Sequence, residues 1–131
     1  MTQKDKELLL KDLCVRLPYG IIIKHKDEHG KSIDARLVGY NGDWFNYYID
    51  DLCFHLKIYE FKPYLRPMSS MTEEEKIEFQ EILGKAIMSD TPVASYQGVD
   101  WLNAHHFDFR NLIGKGLALE APKGIYNLNK E

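Results

Sequence analysis

The sequence is poor in cysteine and has no long apolar run. Two cysteines, Cys14 and Cys53, are too few for a disulfide scaffold, and we expect both to be buried thiols in a reducing cytoplasm. The aliphatic run at residues 21–23 is far shorter than the roughly 18 apolar residues of a membrane helix. Charged residues interrupt the N-terminal leucines, which argues against a secretion signal. These absences predict a cytoplasmic protein without a membrane partner.

An excess of positive charge and the common catalytic motifs are also absent. The 17 Lys and Arg against 20 Asp and Glu give a net charge of −3, so the whole chain does not attract nucleic acid or anionic lipid. No nucleophile elbow, HExxH helix, Walker loop or GxGxxG turn occurs. We therefore expect a protein that is not an enzyme and needs no cofactor. The length of 131 residues and the 44% apolar composition favour one globular domain, residues 1–131.

An N-terminal amphipathic helix is predicted over residues 2–17. Its apolar stripe consists of Leu10, Leu13, Cys14 and Leu17, which repeat at helical spacing. The helix should end at the Pro and Gly of residues 18–20.

Four β-strands are predicted to follow, at residues 19–25, 32–37, 44–49 and 52–61. They are rich in β-branched or alternating apolar residues, and turn residues separate them. Asn41-Gly42 is a strong hairpin signal. The strands should form a four-stranded antiparallel meander, either as an open sheet or as a partial barrel.

Two or three helices and a short hairpin should complete an α+β fold. Thr72 and Glu75 have the spacing of a capping box and predict the start of a second helix. Asp90, Pro92 and Gly98 indicate a loop. Helical pieces are predicted at residues 100–106 and 108–115, with a hairpin from residues 117–120 and 125–126.

Aromatic residues cluster in the predicted strands. Half of all Phe, Trp and Tyr side chains lie between residues 44 and 64, and neighbours such as Trp44 and Phe45 must point to opposite faces of a strand. Some aromatics should therefore lie off the main core face. This pattern favours a protein-interaction module that binds another protein or itself through Trp44, Tyr47, Tyr48, Tyr59, Tyr64 and Arg66.

Two alternatives come from the last third of the chain. The helix at 108–115 and the Pro-Gly turn after it resemble the recognition helix and wing of winged-helix proteins, which implies nucleic-acid contacts from Asn103, Arg110, Asn111, Lys115 and Lys123. His105, His106 and Asp108 carry metal-ligating atoms, so a metal-dependent hydrolase is the third hypothesis. Adjacent histidines on a helix point about 100° apart, which disfavours a shared ion.

Three segments carry a resemblance to a known family. They are LLKDLCVRLPYG at 9–20, KPYLRPMSSMT at 62–72 and DWLNAHHFD at 100–108. Together they resemble an uncharacterised protein family of gut Bacteroidetes genomes and their phages and mobile elements. The resemblance implies a bacterial or phage-related origin and transfers no catalytic residue.

Overall fold

The fold is α+β, and the computed structural model of the chain describes residues 1–89 and 92–126. The helices are α1 Gln3–Arg16, α2 Glu73–Ser89 and α3 Pro92–Ala104. The strands are β1 Ile22–Lys26, β2 Ser32–Arg36, β3 Gly39–Tyr40, β4 Phe45–Ile49, β5 Leu52–Leu56, β6 Phe61–Leu65 and β7 Leu119–Glu120. Short 3₁₀ turns lie at Leu17–Tyr19, Ile58–Glu60 and Met68–Ser70.

The N-terminal helix forms as predicted, and Leu13 of its predicted stripe is fully buried, while Leu10 and Leu17 are partly buried against the core and Cys14 is exposed. Thr2 caps α1 by accepting a 3.0 Å hydrogen bond from the Asp5 amide, and Gly20 ends the segment with a φ of 74°. The buried residues are Leu9, Asp12, Leu13 and Arg16. The buried residues and the predicted stripe both repeat at helical spacing. The prediction favoured the stripe made only of apolar residues, because that choice leaves every charged side chain of the helix in water.

Both cysteines are free, and the prediction that they are buried is wrong. Cys14 lies beside the buried face of α1 and is exposed, and Cys53 is exposed on β5.

An antiparallel strand meander follows the first helix as predicted, but in the described residues its strands are divided between two sheets and do not close into a barrel. One sheet has the order β2-β1-β6-β7, and the other has the order β3-β4-β5. The strand predicted over residues 52–61 is broken by the 3₁₀ turn Ile58–Glu60. After that turn β6 runs back to pair with β1, with Ile23 opposite Pro63.

The predicted turns between strands are confirmed. Asn41 closes its loop by accepting hydrogen bonds from the amides of Asp43 and Trp44, and Gly42 has a φ of 103°. The loop is longer than a two-residue hairpin, because Tyr40 pairs with Phe45.

The capping box of the second helix is confirmed. The Glu75 amide donates to Thr72 Oγ1 at 3.1 Å, and the Thr72 amide donates to Glu75 Oε1 at 2.9 Å. The third helix begins earlier than predicted, at Pro92, and Gly98 lies inside it. A Cβ at Gly98 would lie 3.5 Å from Leu83, so this glycine lies where α3 approaches α2. Asp90 lies outside the described residues.

The C-terminal third differs most from the prediction. Residues 108–115 form successive turns, and α3 ends at Ala104, so the predicted second helical piece is wrong. Leu119–Glu120 is a strand, but it pairs in parallel with Tyr64 and Leu65 of β6 rather than with residues 125–126. The predicted C-terminal hairpin is therefore wrong as well.

Among the described residues, two apolar clusters hold the helices and strands together. The larger one joins α1 to both sheets and includes Leu9, Leu13, Ile23, Phe45 and Leu65. The smaller one contains Trp101, Leu102 and Phe107 and packs against Phe79 and Ile82 of α2. Within the described residues, no helix is both long and apolar enough to cross a membrane.

Candidate interaction surface

The hairpin formed by β4, Asp50-Asp51 and β5 projects from the molecule; we call residues 45–56 the projecting hairpin. Every residue from Leu52 to His55 is exposed, although successive side chains of a strand point to opposite faces. Both faces of β5 are therefore accessible to a partner.

On the core-facing side of the projecting hairpin, apolar side chains continue past the residues that are buried in the core. Phe45 and Tyr47 are buried on this side, and Phe54 stacks on Tyr47 with ring centroids 5.2 Å apart. Further along the hairpin, exposure rises to 38% for Phe54 and 65% for Leu52. Large apolar side chains in this position form a small accessible patch rather than core.

The outer side of the projecting hairpin is aromatic and polar. The Trp44 ring, at the start of β4, makes an edge contact with His55, and Lys57 Nζ lies 4.8 Å from the centre of the same ring. Tyr48 pairs across the strands with Cys53 and is 53% exposed. This side therefore offers aromatic faces and hydrogen-bonding groups together.

The outer edge of β5 has no neighbouring strand in the described part of the chain. Ile49 and Leu52 flank a two-residue turn, and Tyr47 lies opposite Phe54. In such a hairpin the backbone groups of Leu52 and Phe54 bond to β4, so those of Cys53 and His55 point away from it. An unpaired edge of this kind is a template for another strand.

A small cleft lies between α1, the loop at 41–44 and the turn after β5. It has a volume of about 170 Å³, and its lining includes Lys6, Tyr40, Asp43, Lys57 and Tyr59. Pockets that enclose drug-sized ligands measure about 300–1,000 Å³. The cleft is therefore too small to bury a typical cofactor.

Three of the six residues predicted to bind a partner are exposed and three are not. Trp44, Tyr48 and Tyr59 are exposed, the first two on the outer side of the projecting hairpin and Tyr59 on the turn after β5. Tyr47 and Tyr64 are buried, which corrects their assignment to a surface.

The buried tyrosines make internal hydrogen bonds. The Tyr47 hydroxyl lies 2.8 Å from His25 Nε2, and the Tyr64 hydroxyl donates to Asp34 at 2.8 Å. Burial and the Asp34 carboxylate raise the pKa of Tyr64 to about 12. Both side chains therefore stabilise the sheet region rather than offer a contact.

Arg66 is also engaged within the chain. Its guanidinium makes a bidentate ion pair with Glu75, at 2.6 and 2.8 Å, and lies 4.1 Å from the centre of the Phe107 ring. Burial alone would raise the pKa of Glu75, but its bonds to Arg66 and Thr72 lower that pKa below its usual value. Arg66 thus joins the end of β6 to the start of α2.

The residues of the nucleic-acid hypothesis do not form one basic surface. Asn103 is buried, and Arg110 bonds to the Asp12 carboxylate at 2.6 Å. Asn111, Lys115 and Lys123 are exposed, but none of them lies in a helix or a strand. A winged-helix protein reads the major groove with a helix, and residues 108–115 form none.

The three metal-ligand candidates have separate partners. His105 Nδ1 lies 2.9 Å from the Trp101 carbonyl, and Asp108 accepts hydrogen bonds from the amides of Leu112 and Ile113. His106 is buried and stacks on Tyr126 with centroids 3.7 Å apart. No group of three metal-ligating side chains converges within residues 1–89 and 92–126.

A buried ion-pair network on the core-facing side of α1 was not predicted from the sequence. Asp12 and Arg16 are both fully buried, and Arg16 also donates to the Phe107 carbonyl at 2.7 Å. Arg110 completes the network at its partly exposed side. The only local signal was the Asp-Arg spacing of four residues, which usually marks a solvated pair on a helix.

Comparison with protein-family models, with curated proteins and with solved structures gave no match.

Proposed function

We propose that this protein is a small interaction module that binds a protein partner through the projecting hairpin. The observation that carries the proposal is the exposure of Leu52–His55 on both faces, beside a strand edge that has no neighbour among residues 1–89 and 92–126. Soluble proteins usually cover such edges or protect them with charge or proline. Here the exposed residues between the Asp50-Asp51 turn and Leu56 are apolar, thiol or imidazole.

The mode of binding that fits this edge is strand addition. An extended segment placed beside β5 would exchange backbone hydrogen bonds with Cys53 and His55, which point away from β4. Its side chains would contact Phe54 on one face and the Trp44–His55 pair on the other. Backbone bonds would supply affinity, and the aromatic faces would supply selectivity.

Charge favours a polypeptide over a nucleic acid as the partner. Between residues 44 and 57 the chain has two acidic side chains, Asp50 and Asp51, and one Lys or Arg, which is Lys57. Phosphate backbones are bound by several Lys or Arg side chains acting together. A cytoplasmic location and the bacterial or phage-related origin implied by the sequence resemblance remain part of the proposal.

Selection from a phage-displayed library of random peptides tests the function without knowledge of the host. We expect the immobilised full chain to enrich extended peptides with alternating apolar residues. Leu52→Lys should abolish their binding, because it places a charge on the apolar side of the edge. Ile77→Lys is the matched control, since Ile77 is 57% exposed on α2, away from the hairpin, and binding should persist.

Two results would contradict the proposal. One is a selection that enriches no peptide above the background of an unrelated protein. The other is a set of peptides whose affinity is the same for Leu52→Lys as for Ile77→Lys.

A further inference from the structure

We infer that the strand taken up by β5 is the β5 of a second copy of this chain, in a two-fold antiparallel pairing centred on Phe54. This inference rests on the proposed function, because it names the occupant of the same edge. Pairing across a two-fold axis brings the same surface patch of each copy together, so the patch must be self-complementary.

The sequence of β5 meets that requirement. With Phe54 on the axis, Leu52 lies opposite Leu56 of the other copy and Cys53 lies opposite its His55. The apolar residues then share one face, and the polar residues share the other. The outward backbone groups of Cys53 and His55 become hydrogen-bonded pairs, as an antiparallel ladder requires.

Charge complementarity favours a second copy over an unrelated strand. In the same register Asp51, at one end of β5, lies opposite Lys57, just beyond the other end. The two-fold axis repeats this pair, so each end of the joint strand has an attractive contact. The result is one continuous sheet with the order β3-β4-β5-β5-β4-β3 across the two copies.

Sedimentation velocity of the full chain from about 1 µM to about 1 mM tests the self-association, since this range covers weak, small interfaces. We expect a monomer–dimer equilibrium. Asp51→Lys should weaken it about tenfold, because it turns both attractive contacts into repulsive ones. Lys57→Asp should have the same effect, and the double variant should recover most of the wild-type affinity.

A disulfide experiment tests the register. In a Cys14→Ser and Cys53→Ser background, Phe54→Cys places two thiols on the axis. A non-hydrogen-bonded pair there has a Cα separation of about 4.5 Å, which suits a disulfide. Leu52→Cys is the matched control, because two copies of residue 52 would be about 13 Å apart. We expect covalent dimers from the first variant and not from the second.

A wild-type chain that stays monomeric at the highest concentration would overturn the inference. Equal crosslinking of the two cysteine variants would also overturn it. If hairpin-dependent peptides bind to a chain that remains monomeric, the inference fails and the proposed function stands. If neither peptide binding nor self-association depends on β5, both the inference and the proposed function fail.

Discussion

Asp12 and Arg16 form a fully buried ion pair one helical turn apart, with Arg16 Nε 2.8 Å from the Asp12 carboxylate. The pair lies on the face of α1 that contacts the core, beside Leu9 and Leu13. Through the Phe107 carbonyl and Arg110 it connects the first helix to the segment after α3. These ion pairs therefore fix the orientation in which α1 packs against the core.

Breaking this pair should be costly. Asp12→Ala would leave the Arg16 guanidinium buried without its counter-ion, and we expect unfolding free energy to fall by about 3–5 kcal/mol. Lys11→Ala, on the exposed face of the same helix, should change it by less than about 0.5 kcal/mol. Urea unfolding measures both. A loss below about 1 kcal/mol for Asp12→Ala would show that the network does not stabilise the fold.

His106 should make the protein sensitive to mild acid. Burial, with a further contribution from the Arg16 charge, lowers the pKa of His106 from 6.5 to about 3. Between these values the unfolded chain binds a proton that the folded chain does not, so stability falls as pH falls. We expect a loss of about 2 kcal/mol between pH 7 and pH 5.

Two variants isolate this effect in urea unfolding at both pH values. His106→Gln should be less stable at pH 7 but should lose much less on acidification. His29→Gln changes an exposed histidine and should keep the wild-type pH dependence. An unchanged slope in His106→Gln would assign the acid sensitivity to other groups.

The capping box should contribute measurably to the start of α2. Thr72→Ala removes the acceptor of the Glu75 amide and should lower unfolding free energy by about 1 kcal/mol. Ser69→Ala, at an exposed position before the helix, serves as the control. Thermal unfolding followed by circular dichroism compares the two. Equal midpoints would mean that the cap contributes nothing to global stability.

In the turn of the projecting hairpin, glycine should stabilise the protein at one position and destabilise it at the other. Asp50 has a φ of 54°, a conformation that glycine adopts without steric cost. Asp50→Gly should therefore raise unfolding free energy by about 0.5–1 kcal/mol. Asp51 is not in the left-handed region, so Asp51→Gly should lower it. Urea unfolding at low protein concentration tests the opposite signs, and a shared sign would contradict the turn geometry.

Local patterns predicted part of the local structure, but not the turns at residues 108–115 or the break in the strand at residues 58–60. Helical spacing located α1, turn residues separated the strands, and Thr72 with Glu75 marked the start of α2. Each of these features depends on residues a few positions apart, which sequence displays directly.

Features that depend on distant residues were not predictable in this way. The return of β6 to β1 joins residues 61–63 to 23–25, and nothing in the intervening sequence specifies that pairing. The Asp12–Arg16 pair is buried because Arg110 and Phe107 reach it from far along the chain. At the candidate site, alternation could not tell exposed Tyr48 from buried Tyr47, because either face of a strand can meet the core.

Residue-resolved amide hydrogen exchange of β5, in dilute and in concentrated solution, tests the open strand edge most directly. In dilute solution we expect the amides of Cys53 and His55 to exchange fast and that of Phe54 to exchange slowly, because only Phe54 bonds to β4. In concentrated solution Cys53 and His55 should become protected as a second strand binds. Protection of both amides already in dilute solution would contradict the open strand edge, and no change on concentration would contradict the pairing of two copies.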